Sequence, residues 1–200
     1  MLFVTFGLQL ASISSILGQQ ATGPDLFLDD SFLRSRYETA FNTGILFSPV
    51  GKARNRPTVN YTITEVQLGY MLNDVQEAGW FRGNFELAGD AFGGGVFDGT
   101  GSYAAGWTLW LRYNFVPSHS RFTPYTQVGA GFVFTDIDRR LVGQDFNFNL
   151  DVGLGMRYSL DAHWALNLEL RYQHISNANL GQHNIGINAL GPILGISYFF

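Results

Sequence analysis

Near the end of the chain, His174 and Ser176 stand two positions apart. On a β-strand, residues i and i+2 share a face, so an imidazole and a hydroxyl there point the same way. This is the minimum for nucleophilic acyl transfer, in which a hydroxyl attacks a carbonyl carbon while an adjacent base takes its proton. A third group must hold the imidazole in the right tautomer, and Asn188 falls on the matching row of the next alternating segment. No Asp or Glu follows Glu169. Asp145 lies at the outer end of the preceding segment, but its parity directs it inward. An amide oxygen can accept from the ring N–H, as Asn does in Cys-His-Asn proteases, without supplying negative charge. The plain alternative is a set of polar residues at a membrane rim. Other motifs carry less. Gly93-Gly94-Gly95 lacks the Gly-Lys-Ser/Thr of a phosphate loop and reads as a flexible loop. His119, His163, His174 and His183 show no metal-ligand spacing, so neither a metal nor another cofactor is expected.

The elements that must position these residues repeat with a period of two. Over Asp145–Leu160 one face reads Phe146, Phe148, Leu150, Val152, Leu154, Met156, Tyr158, and the other Asn147, Asn149, Asp151, Gly153, Gly155, Arg157. Such alternation is a strand with one apolar and one polar or small face. The same rule predicts strands over 37–47, 64–72, 80–92, 107–115, 123–135, 164–172 and 186–200, eight in all. One face collects Glu38, Glu65, Glu86, Asp90, Asp151 and Glu169 with Arg82, Arg112, Arg157 and Arg171, padded by Gly and Ala. The other face is bulkier, with Phe, Leu, Trp and Tyr. The interior of an eight-stranded barrel is just filled by side chains and has no room for that many aromatics. The reading is an all-β, eight-stranded antiparallel transmembrane β-barrel with a lipid-facing apolar wall and a filled polar interior. The runner-up is a soluble lipocalin-like barrel with the faces reversed.

Composition agrees. The 200 residues are 46% hydrophobic but only 14% charged, well under the roughly 25% of soluble domains. A net charge of −4 offers no field for nucleic acid, and the absence of cysteine excludes thiolate chemistry and disulfide scaffolds. Beyond the first twenty residues no apolar run approaches the roughly 18 of a membrane-spanning helix. Residues 1–21 pass from an apolar stretch, Leu2–Leu10, into small residues, as a secretory signal does, although no Lys or Arg precedes Arg34. The expected organisation is a signal peptide at 1–21, a periplasmic segment at 22–35 and the barrel at 36–200. Phe200 closes the last strand with an aromatic, which resembles the C-terminal signature of bacterial outer-membrane barrels.

With both termini in the periplasm, the short turns are 73–79, 117–121 and 161–162, and the longer external loops are 49–60, 93–102, 136–144 and 177–185. The external set holds Lys52, Arg54, Arg56, Arg139 and Arg140, which either meet lipopolysaccharide phosphates or are ordinary solvated charges.

His174-Ile175-Ser176-Asn177-Ala178, followed by Asn184-Ile185-Gly186, resembles the lipid A 3-O-deacylase (PagL-like) family, outer-membrane barrels with a His-x-Ser-Asn-Ala motif on strand seven. The resemblance implies a serine hydrolase that removes the ester-linked acyl chain at position 3 of lipid A, with its active site facing the outer leaflet of a Gram-negative bacterium. It implies Ser176 as nucleophile, His174 as general base, and Asn177 and Asn184 near the oxyanion side. The family's acid is a Glu twelve residues after the serine, where this chain has Asn188. The expected partners are lipopolysaccharide as substrate and outer-membrane lipid, with a homodimer left open. The competing reading is a structural or adhesive outer-membrane barrel that lost catalysis with its acid.

Overall fold

The computed structural model describes residues 35–48 and 58–200. The expected signal peptide, nearly all of the periplasmic segment, and Lys52, Arg54 and Arg56 lie outside the described residues. Eight antiparallel strands form one closed barrel: β1 Tyr37–Leu46, β2 Val59–Met71, β3 Gly83–Gly99, β4 Tyr103–Phe115, β5 Phe122–Thr135, β6 Phe146–Ser159, β7 Trp164–Ser176 and β8 Ile187–Phe199. Each strand pairs with its sequence neighbour, and β8 returns to β1. The Tyr37 N–H bonds the Phe200 carbonyl, so both ends of the barrel's chain lie at the same rim.

The faces are inverted relative to a soluble barrel. Leu68 is 65% exposed and Leu154 60%, whereas Glu86 is 0% and Glu38 1% exposed. Burying carboxylates while baring leucines is stable where the exterior is hydrocarbon, which rejects the lipocalin-like reading. The interior has three zones. Met71, Val75, Val116, Ala165 and Phe199 form a small apolar cluster at the rim of the chain ends. Above it the Arg112 guanidinium lies 2.9 Å from Glu38 and 3.1 Å from Glu86, and Arg157 also reaches both carboxylates. Arg171 pairs with Glu65 and Glu169. Toward the opposite rim the filling is apolar: Leu46, Ile63, Ile137, Leu141, Ile175 and Ile187 are among its buried residues. A one-turn helix, Arg139–Val142, caps that end with Leu141 and Val142 turned inward. Arg82 stands apart from the interior network, bonding Glu77 and the Val116 carbonyl at the near rim.

Two expectations are corrected. Segment 93–102 is not an external loop, because β3 runs on to Gly99 and β4 resumes at Tyr103. The glycines serve close approach: a Cβ on Gly94 would sit 1.7 Å from the Thr62 carbonyl oxygen, and the Gly95 N–H donates to Thr62 Oγ1 at 3.1 Å. The third strand begins at Gly83 rather than Trp80, which lies in a 3-10 turn, Gly79–Phe81.

The registers also fix how the strands lean. Stepping from Ser176 to its partner on each successive strand passes Phe148, Phe132, Trp107, Ala91, Val66, Phe41 and Ile196, and returns to β7 at Leu166, ten residues nearer the chain-end rim. A shear of this kind tilts the strands by about 40° from the barrel axis. Crossing from β7 to β6 and on to β5 therefore descends from the rim that carries Ser176.

Candidate active site

His174 and Ser176 occupy the outer end of β7, half-buried on the lipid-facing row, while Ile175 between them points into the apolar plug. β8 brings Asn188 directly across from His174, and β6 brings Leu150 to its other side. The His174 Nδ1 lies 2.6 Å from Asn188 Oδ1. An amide oxygen has no proton to give, so Nδ1–H donates and the lone pair is left on Nε2. Ser176 is paired with Phe148, the edge of an aromatic cluster that continues through Phe146, Phe134 and Phe132.

The loop from β7 to β8 is held from within. Asn177 follows Ser176 and is fully buried; its Nδ2 donates to the His183 carbonyl at 2.8 Å, and its Oδ1 accepts from the Asn179 N–H at 2.9 Å. The Asn177 N–H donates to Asn184 Oδ1 at 3.0 Å, and Asn184 Nδ2 donates to Asn179 Oδ1. Ala178 and Asn179 both have positive φ, 53° and 63°, and the Leu180 N–H closes on the Asn177 carbonyl at 3.0 Å. That is a type I′ turn immediately behind the serine. The structure thus brings Asn177 and Asn184 together beside Ser176, with the Asn177 side chain spent on the loop.

Sequence reasoning missed the second support. The Gly186 N–H donates to the Leu141 carbonyl at 2.8 Å, tying the β7–β8 loop to the capping helix. Gly186 has φ of 75°, and a Cβ there would lie 3.0 Å from His174 Cε1. Glycine at this position supplies both the left-handed backbone and the room for the imidazole. The residue was visible in the motif, but its role depends on a backbone angle that no side-chain pattern reports. Asp145 is exposed and engages Arg139 at 3.1 Å, contrary to its expected inward direction. His183 belongs to the same loop, while the other two histidines lie elsewhere: His163 Nδ1 meets the Phe199 carbonyl at the near rim, and His119 sits in the β4–β5 turn with φ of 53°.

The sequence model of a family described as lipid A 3-O-deacylase (PagL) matches residues 58–197, which spans the barrel from β2 to β8 and every residue of this site. The chain belongs to the lipid A 3-O-deacylase (PagL) family. No match is found among curated proteins. Among solved structures the barrel is similar to the outer membrane enzyme PagL, with TM-score 0.55 and 17% identity over 79% of this chain and 97% of that one. It is similar too to Neisserial surface protein A, with TM-score 0.57 and 16% identity over 82% and 96%. The outer membrane protein OprG from Pseudomonas aeruginosa gives TM-score 0.51 and 18% identity over 83% and 96%. At these identities the likeness is one of fold, an outer-membrane barrel.

Proposed function

We propose that this PagL-family chain is an outer-membrane serine esterase that removes the 3-O-linked acyl chain from lipid A of lipopolysaccharide. The observation that carries the reading is the His174–Asn188 hydrogen bond, formed on the lipid-facing wall one residue from Ser176 in the same row. An enzyme whose ester lies at a membrane boundary needs its nucleophile outside the barrel. In hydrocarbon an unpaired polar group costs several kcal/mol, so this pair belongs at the outer-leaflet boundary.

Ser176 Oγ attacks the ester carbonyl carbon while His174 Nε2 takes its proton. The tetrahedral intermediate collapses, the bond to the sugar oxygen breaks, and the imidazolium returns the proton to that oxygen. Water then attacks the acyl-Ser176 ester through the same base, releasing a fatty acid and free serine. Asn188 keeps Nδ1 protonated throughout. Asn177 and Asn184 hold the loop on the oxyanion side. Export through residues 1–21, a periplasmic segment at 22–35 and an active site facing the outer leaflet complete the reading.

The neutral Asn188 favours a second reading, a barrel retaining the frame of an active site without its turnover. One experiment separates the two. Wild type and Ser176→Ala are refolded in detergent and incubated with lipopolysaccharide, and the mass of lipid A is followed. Loss of one acyl chain with wild type alone supports the esterase. No mass change with either, both being folded, refutes it in favour of the structural barrel.

A further inference from the structure

The β2–β3 turn, at the chain-end rim far from Ser176, carries two bared aromatic rings that the catalytic reading does not use. Trp80 is 98% exposed and Phe81 66%. The turn that presents them is firmly held. Gly79 turns the backbone with φ of 59°, the Phe81 N–H donates to the Ala78 carbonyl at 3.1 Å, and the Arg82 N–H donates to the Gly79 carbonyl at 3.0 Å. The Tyr113 hydroxyl donates to the Phe81 carbonyl, fastening the turn to β4. Beside it Phe85, Tyr113 and Phe115 pack on the lipid-facing wall, with successive ring centroids 4.9 and 5.0 Å apart. Such aromatics mark the depth of the lipid headgroups around a membrane barrel. With the active site at the outer leaflet, as proposed above, this rim lies at the inner one.

Trp80 walls a pocket. Its volume is about 420 Å³, within the roughly 300–1,000 Å³ of small-ligand sites, and its lining is Gly79, Trp80, Arg82, Phe115, Pro117 and Ser118. Arg82 is the charge in it, with a side chain only 11% exposed. Its Nε donates to Glu77 at 2.7 Å and its Nη1 donates to the Val116 carbonyl, so two of the three nitrogens are spent. Nη2 has no partner among the described residues. A nearly buried guanidinium with an unused edge is matched by an acceptor, and phosphate suits its planar fork. Glu77, three quarters exposed beside it, repels a bare anion and attracts a cation. The pair therefore complements a group that carries both charges a few atoms apart.

We propose that this pocket binds one phospholipid of the inner leaflet whose headgroup joins a phosphate to a primary ammonium. The phosphate takes Arg82 Nη2 and the Ser118 hydroxyl, and the ammonium lies between the Glu77 carboxylate and the face of Trp80. The first methylenes of the acyl chains rest on Phe115. A headgroup with a hydroxyl in place of the ammonium loses the charge that Glu77 attracts, and a trimethylammonium keeps the charge but has no N–H to donate. An aromatic belt alone makes no such distinction between headgroups.

The test refolds the full chain in detergent, adds phosphatidylethanolamine, phosphatidylglycerol or phosphatidylcholine, and follows bound lipid by native mass spectrometry. Wild type is expected to retain one phosphatidylethanolamine, with a Kd at least about tenfold below those of the other two lipids, as a lost charged hydrogen bond dictates. Trp80→Ala removes a ring that holds nothing in the fold and raises that Kd about fivefold. Arg82→Met raises it at least about tenfold, and Glu77→Gln brings phosphatidylethanolamine and phosphatidylglycerol within about twofold of each other. Trp164→Ala, at the same rim on β7, changes binding by less than about twofold. Cold and boiled electrophoretic mobility shows that each variant is folded. Equal retention of the three lipids by wild type overturns the site, as does a loss in Trp164→Ala as large as that in Trp80→Ala. Catalysis is a separate readout: a chain that deacylates lipopolysaccharide without preferring phosphatidylethanolamine refutes this site alone, and an inert chain that keeps the preference supports it.

Discussion

Replacing Asn188 probes the feature in which this chain departs from its family. The hydrogen bond from His174 Nδ1 to Asn188 Oδ1, 2.6 Å long, has two roles in the proposed mechanism. It selects the tautomer with a basic Nε2, and in the proposed mechanism it would stabilise the imidazolium that forms as Ser176 is deprotonated. A hydrogen bond to a charged group is worth about 1.5–3 kcal/mol net, and each 1.4 kcal/mol off a barrier is tenfold in rate. Asn188→Ala should therefore lower kcat by about 10- to 150-fold. KM should stay near wild type, since Asn188 contacts the base in this structure and has no assigned contact with substrate. Asn188→Asp keeps the geometry and adds charge. Charge-assisted hydrogen bonds are about twice as strong as neutral ones, so a further 1–1.5 kcal/mol, about tenfold in kcat, is the expected gain. This is far below the ~10⁴ of an Asp-to-Asn change in a serine protease, because there the tautomer is lost as well and here it is kept. The assay is steady-state hydrolysis of 4-nitrophenyl butyrate, with cold and boiled electrophoretic mobility as the check that each variant is folded. Full kcat in Asn188→Ala would refute the reasoning outright. A change confined to KM would show that Asn188 touches substrate rather than the base.

Two further outcomes test the frame. Arg112 holds Glu38, Glu86 and the amide oxygens of Gln67 and Gln127 together inside the barrel. Arg112→Met leaves those carboxylates short of a partner and should destabilise the barrel by about 3–5 kcal/mol in urea unfolding, with Glu86→Gln restoring part of the loss. Asp161, in the β6–β7 turn, accepts the N–H groups of His163 and Trp164, which hold its carboxyl below the usual range. Its contribution is present above the unfolded carboxylate pKa and is lost as pH falls through the lowered folded value. Asp161→Ala should thus be less stable than wild type at neutral pH, and the gap should close on acidification, as thermal unfolding against pH will show.

Most of this molecule is legible in its sequence because a strand's period is an integer. Alternation of Phe148, Leu150 and Val152 with Asn149, Asp151 and Gly153 assigns a face to each residue, and the structure keeps those assignments. Parity also placed His174, Ser176 and Asn188 on one wall, and the antiparallel register turned that coincidence into a hydrogen bond. Glycine misled where one composition serves two ends. Gly93–Gly95 reads as a loop by its freedom, yet Gly94 is held in β3 by the backbone of β2 pressed against it. Asp145 misled at a strand end, where alternation stops being informative one residue before β6 begins.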